Sequence, residues 1–159
     1  MLRLFKGIDF PGSPDEAKQR QPAGYDFSVR SIARFNGPAT LDFTNEKRQL
    51  PELEELAWPA DSSPIELAPG GYLVTYNETV SVPEHSAGIL LPRSSLMRCG
   101  ATLHSALWDP GYVGKGQGLM TVYNTLRLHR DARIAQFILI AIEGQVESLY
   151  SGQYQGENL

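Results

Sequence analysis

PRSSLMRCGATLHSALWDPGYVG, residues 92–114, is the stretch that decides between a helical and a strand-built chain. It opens with a guanidinium beside two small hydroxyls, Arg93-Ser94-Ser95. A serine oxygen accepts a hydrogen bond from a first-turn N–H and a glycine ends a helix, so Ser94-Ser95-Leu96-Met97-Arg98-Cys99-Gly100 predicts one to two helical turns and no more. Outward-pointing amides, two hydroxyls and the donor forks of Arg93 and Arg98 suit anionic oxygens; the plainer alternative is a capped surface turn with both arginines in ion pairs. Asp109-Pro110-Gly111-Tyr112 is a turn signal, and Gly114 and Gly116 continue the backbone freedom after it. An aspartate in such a turn commonly bonds its own backbone. Here Trp108 and Tyr112 flank it, and aromatic rings around a carboxylate in a glycine-rich turn need a ligand or a core to cover them.

Working outward, short strands are predicted on both sides. Residues 72–76, 79–82 and 87–91 read as strands separated by Asn77-Glu78 and Pro83-Glu84, and 119–128 reads as another. Residues 25–35 alternate loosely and predict a strand near whose start Asp26 reads as a turn-former. The run 134–142 is almost continuously apolar, too short to span a membrane, and predicts a strand covered on both sides; Gln136 interrupts it and must have its hydrogen bonds met. Pro11-Gly12-Ser13-Pro14 breaks the first segment and residues 15–20 predict a single helical turn. Pro51-Glu52-Leu53-Glu54-Glu55-Leu56 predicts a brief helix that Pro59 and Pro64 stop from growing. No helical pattern of 10 to 15 residues separates the strands, so the fold class is all-β with one or two short helices. The 15 glycines and 11 prolines agree with that reading.

The 159 residues suffice for one domain with a core of its own. A net charge of −4 with only 14 Lys and Arg argues against binding to a nucleic-acid backbone, while leaving room for a local basic pocket. The single cysteine, Cys99, excludes an internal disulfide and multi-cysteine zinc sites, and with no histidine beside it in sequence it reads as buried and inert. Residues 1–6 are too short and too charged for a signal or a membrane span, so the expected compartment is the cytoplasm and no membrane partner is expected.

PAGYDF at 22–27, PRSSLMRCG at 92–100, WDPGYVG at 108–114, ARIAQF at 132–137 and YSGQYQG at 150–156 resemble, in order, the motifs of the superfamily of homotrimeric dUTPases and dCTP deaminases. The WDPGY wording, the short spacing from Gly100 to Asp109 and the YSGQYQG tail are most similar to the archaeal-type, deaminase-related dUTPases. The resemblance implies a distorted jelly-roll-like β fold (β-clip) over residues 1–149, a flexible lid segment over 150–159, and a homotrimer with active sites at subunit interfaces. It also implies an activity: Mg²⁺-dependent hydrolysis of dUTP to dUMP and pyrophosphate by attack of water on the α-phosphorus.

Carried over residue by residue, Asp109 becomes the general base. Arg93, Ser94, Ser95, Arg98 and Gln136 become the triphosphate contacts. Ala101, Thr102, Leu103, His104, Ser105 and Ala106 become the segment that reads uracil, with Tyr112 packed on the deoxyribose. Asp26 is expected to hold a metal-bound water, and Tyr150, Tyr154 and Gln155 to form the lid. The deaminases of the superfamily carry a glutamate where this chain has Thr121, which cannot shuttle a proton near neutral pH. That departure favours the diphosphatase. The alternatives are a dCTP deaminase or bifunctional enzyme served by another carboxylate such as Glu143, a non-catalytic nucleotide sensor, and an unrelated β-sandwich.

Overall fold

The computed structural model describes residues 2–3 and 8–159, so the reading of residues 1–6 lies largely outside the described residues. In chain order the elements are β1 (Leu2–Arg3), α1 (Glu16–Gln19), β2 (Arg20–Gln21), β3 (Gly24–Asn36), β4 (Glu52–Glu55), β5 (Ile65–Leu67), β6 (Gly70–Tyr76) and β7 (Val80–Ser81). They continue with β8 (Ser86–Pro92), α2 (Ser94–Arg98), β9 (Ala101–His104), β10 (Val113–Gly114), β11 (Gln117–Val122), β12 (Leu126–Leu128) and β13 (Arg133–Ala141). Every strand pairing is antiparallel. Nine strands form one nearly closed, barrel-like sheet of the jelly-roll kind, in the order β1-β13-β3-β6-β11-β9, with β2 and β4 also on β3 and β8 also on β13.

The long strand β3 makes the corner. Its first part pairs with β13, Tyr25 opposite Phe137, and its second part pairs with β6 and β4 after a register shift between Val29 and Ser31. A strand that changes partners at an irregularity turns the sheet without breaking the chain. Residues 24–29 are buried as the strand crosses the interior. Around them packs an aromatic core: Phe27 stacks on Phe137 with ring centroids 5.1 Å apart, and Trp108 lies 5.3 Å from both Phe137 and Tyr112. Gly88 permits this packing, because a Cβ there would lie 2.4 Å from the Phe137 ring.

Several expectations are corrected. Residues 51–56 form no helix; Glu52–Glu55 pairs with 33–36 of β3, and satisfying that sheet edge overrides the helix-favouring local sequence. The single strand expected over 119–128 is two, since β12 leaves β11 to pair with β5. Between them Asn124 fills the space above Gly100, whose φ of +74 also admits no ordinary side chain. The helix-start position of α2 is Arg93, not a serine, and no side chain caps it. Cys99 is exposed, because only Leu96 of that turn faces the core. Strand β13 is sandwiched edge to edge between β3 and β8, but one of its faces stays partly open, with Ile140 exposed.

Candidate active site

Two groupings of polar and aromatic chemistry stand out. The first is built where β3, β8 and β13 meet. Asp26 is no turn-former: it sits within β3, 1% exposed, opposite Gln136 on β13. Its Oδ2 accepts from Arg93 Nε at 3.1 Å and Arg133 Nη1 at 3.2 Å. Arg93 follows β8 and donates through Nη1 to the Arg133 carbonyl at 3.1 Å. Burial raises the Asp26 carboxyl above its usual range, and the Arg93 and then the Arg133 guanidinium oppose that rise. One carboxylate between two guanidiniums leaves an excess of one positive charge beside the turn.

Ser94, Ser95 and Arg98 of α2 are exposed next to this cluster, and Arg98 makes no ion pair among the described residues. The Gln136 amide packs over Gly24, where a Cβ would lie 2.9 Å from its Nε2, and it makes no protein hydrogen bond among the described residues. Its amide and the two serine hydroxyls are therefore open to an incoming anion. Arg133 was overlooked in the sequence although it stands in the quoted ARIAQF stretch; its pairing with Asp26 is a long-range fact that spacing does not reveal.

The second grouping is a cleft of about 380 Å³ around the Asp-Pro-Gly turn. Trp108 exchanges both backbone hydrogen bonds with Gly88, at 2.8 Å each, and buries its indole. This anchor leaves Asp109, the next residue, exposed at the cleft wall. The turn is closed by Tyr112 N–H donating to the Asp109 carbonyl at 3.1 Å, so the Asp109 carboxylate is not needed to hold it. Ala106, Leu107, Tyr112 and Gln117 line the same cleft, as do Phe35, Leu50 and Leu53 from the β3–β4 region. Strand β9 carries Ala101, Thr102, Leu103 and His104 alongside β11, and Ser105 turns its hydroxyl to the Ala106 carbonyl.

Residues 150–159 fold back over this turn. Tyr150 lies edge-on to Tyr112, centroids 5.7 Å apart, and its N–H donates to the Pro110 carbonyl at 2.8 Å. Gln155 accepts from Val113 N–H and donates to the Gly111 carbonyl. Tyr112 donates its hydroxyl to Glu157 Oε1 at 2.8 Å, and burial pushes the Glu157 carboxyl upward against the lowering effect of that bond. Tyr112 is itself buried, its phenol pushed well above the usual range by burial and by Glu157. Tyr150, Tyr154 and Glu157 thus become walls of the cleft.

The carboxylates lining the cleft are Asp109 and Glu157. Thr121 lies half-buried in β11 opposite Thr102, and neither it nor Glu143, exposed beyond β13, is among the lining residues. No residue of the Arg93 turn lines the cleft either, and neither does Gln136. For a protein-held metal ion, the fit is poor: Asp26 is committed to two guanidiniums, and no group of three or more His, Cys, Asp or Glu side chains gathers among the described residues.

A family model described as dCTP deaminase-like matches residues 6–142. The chain belongs to the dCTP deaminase-like family. Among curated relatives of this family member, the probable deoxyuridine 5'-triphosphate nucleotidohydrolase of Methanosarcina barkeri is 42% identical over 146 residues, which cover 91% of this chain and 85% of that protein. The deoxyuridine 5'-triphosphate nucleotidohydrolase of Methanocaldococcus jannaschii is 40% identical over 141 residues, 89% of this chain and 90% of that one. Among solved structures, the 2'-deoxycytidine 5'-triphosphate deaminase of Agrobacterium tumefaciens superposes with a TM-score of 0.60 at 19% identity, covering 85% of this chain and 44% of that chain. A dUTPase of Staphylococcus bacteriophage 80alpha with dUpNHpp gives 0.55 at 14% identity, covering 91% and 96%. These two likenesses carry the fold, and they agree with the jelly-roll arrangement of the dCTP deaminase-like sheet.

Proposed function

We propose that this enzyme is a dUTP diphosphatase, hydrolysing dUTP to dUMP and pyrophosphate by attack of water on the α-phosphorus. The observation that carries the reading is the Asp109 carboxylate: exposed at the wall of the cleft, released from holding its own turn, and without an ion pair among the described residues. Two relatives about 40% identical over most of their length bear the name of that activity, which supports the choice of nucleotide.

In the proposed mechanism Asp109 orients a water and takes its proton as the oxygen attacks phosphorus. The bond from the α-phosphorus to the bridging oxygen breaks, and the leaving pyrophosphate keeps that electron pair. Arg93, Ser94, Ser95, Arg98 and Gln136 receive the charge, guanidinium forks and hydroxyls being suited to phosphate oxygens. Backbone groups of residues 101–106 read uracil, and the Tyr112 ring supports the deoxyribose from the cleft. Mg²⁺ is proposed as the cofactor, which would neutralise charge on the triphosphate, and no described side chain of this chain is assigned to hold it. That no residue of the Arg93 turn lines the Asp109 cleft within one chain supports a site shared between subunits of a homotrimer. Residues 150–159 are proposed as its lid, and the cytoplasm as its compartment.

The test is a paired assay. With Mg²⁺, dUTP is expected to release pyrophosphate and dCTP to give no deaminated product, since no acid stands at Thr121. Formation of dUMP or dUTP from dCTP would replace this reading by the bifunctional one, and no turnover of any deoxynucleotide would leave a sensor.

A further inference from the structure

Of the six buried polar or charged residues among those described, Gln19, Asp26, Ser28 and Glu78 form one connected network. Glu78 is wholly buried, yet among the described residues no cation pairs with its carboxylate directly. Instead its oxygens accept from Ser28 N–H at 3.0 and 3.1 Å, from Ser28 Oγ at 2.6 Å and from Gln19 Nε2 at 2.5 Å. Gln19 Nε2 also donates to the Asp26 carbonyl at 2.8 Å. Asp26 and Ser28 are two apart on β3, so their backbone groups point to the same edge, and the two side chains occupy that edge as a neighbouring strand would. The Asp26 carboxylate then holds Arg93 and Arg133, and Arg133 donates in addition to the carbonyl of Lys18, the residue before Gln19 in α1.

We propose that Gln19 and Glu78 are positioning residues for the polyphosphate part of the substrate: they fix residues 26–28 of β3 and the end of α1, and thereby the spacing of the Arg93 and Arg133 guanidiniums. The proposal rests on the reading of this cluster as the phosphate site. A carboxylate is kept in the core at the cost of desolvation, which raises the Glu78 carboxyl above its ordinary range, and three donors, the Ser28 N–H forked to both oxygens among them, offset that cost. A merely stabilising role would be met as well by an apolar pair of the same volume. What an apolar pair cannot do is hold the Asp26 carbonyl and the Ser28 N–H in one fixed geometry while two cations pull on the Asp26 carboxylate.

The experiment separates phosphate affinity from nucleoside affinity. Binding of dUpNHpp, which resists turnover, and of deoxyuridine is measured by calorimetry on the wild type, Gln19→Leu and Ser28→Ala, with melting temperatures recorded on the same samples. Gln19→Leu is expected to weaken dUpNHpp about tenfold and raise KM in parallel, with deoxyuridine affinity and kcat within about threefold of wild type. Ser28→Ala removes a single hydroxyl, is expected to stay folded by its melting temperature, and is expected to show the same selective loss on a smaller scale. Equal loss for both ligands, or unchanged dUpNHpp binding in a folded variant, overturns the positioning role. A wild type that binds deoxyuridine but not dUpNHpp removes the phosphate reading of the cluster itself, an outcome distinct from the variants' failure.

Discussion

Asp109 is held by its neighbours rather than by its own side chain, and that makes it testable without unfolding the turn. Trp108 is fixed to Gly88 by two backbone bonds, and Tyr112 N–H closes the turn on the Asp109 carbonyl. Asp109→Asn therefore keeps the local structure and removes the charge that would activate water; turnover of dUTP is expected to fall by about 10²-fold or more, with dUpNHpp affinity little changed. Near-normal turnover in single-turnover kinetics would take Asp109 out of the base role. Stability at the same scale rests on different residues. Phe137 is fully buried, stacked on Phe27 and packed against Trp108. Phe137→Ala is expected to cost about 3–5 kcal/mol in denaturant unfolding, because both the transfer energy and the cavity weigh against it. A loss below about 1 kcal/mol would mean that the aromatic core collapses to fill the space.

The tail is the element whose behaviour depends most on one titrating group. It is strapped to residues 109–115 by the Gly156 N–H to Val113 and the Lys115 N–H to Glu157 backbone bonds, and by Glu157 under the Tyr112 hydroxyl. Burial raises the docked Glu157 carboxyl from its ordinary 4.5. A raised acid favours the docked form fully below the undocked value, and docking weakens as pH rises through the docked value. Protection of the Gly156 and Lys115 amides from hydrogen exchange is expected to decline with rising pH in the wild type and to stay flat in Glu157→Gln; identical profiles would remove Glu157 as the latch. The motif wording disclosed the tail and the turn beneath it, because glycines and tyrosines crowd both. Their union through Tyr112 and Glu157 was hidden, since a contact 45 residues apart leaves no local pattern. For the same reason Glu52–Glu55 read as helix and Glu78 as a turn residue: one is decided by the edge of β3, the other by Ser28 and Gln19, and both partners are distant in sequence.

At the scale of the whole molecule, an apolar row crosses the outer face of the sheet. Phe35 stands opposite Leu53, and Leu73 stands between Ala33 and Leu119. Phe35, Leu53 and Leu119 remain 40–48% exposed in the single chain, and Phe35, Leu53 and Leu73 run on into the wall of the Asp109 cleft, so a neighbouring copy seated on this row would also border the cleft. If the proposed homotrimer covers this row, the mass in solution is expected near three times 17.6 kDa, and Leu119→Glu is expected to shift light scattering toward the monomer. Assembly alone does not say that the site is shared, and because no residue of the Arg93 turn lines the Asp109 cleft, the two can be spoiled separately in a direct test. On the proposed mechanism Asp109→Asn spoils one half of the machinery and Arg93→Gln the other, and each variant alone is expected to be nearly inactive. If a site takes its carboxylate from one chain and its guanidinium from the next, unfolding and refolding the two variants together at equal amounts yields rings in which about a quarter of the interfaces combine two intact halves. Turnover of the mixture is then expected to rise to about a quarter of the wild-type value. If both halves belong to one chain, every site in the mixed ring still carries a defect, and the mixture will show only the average of the two residual activities.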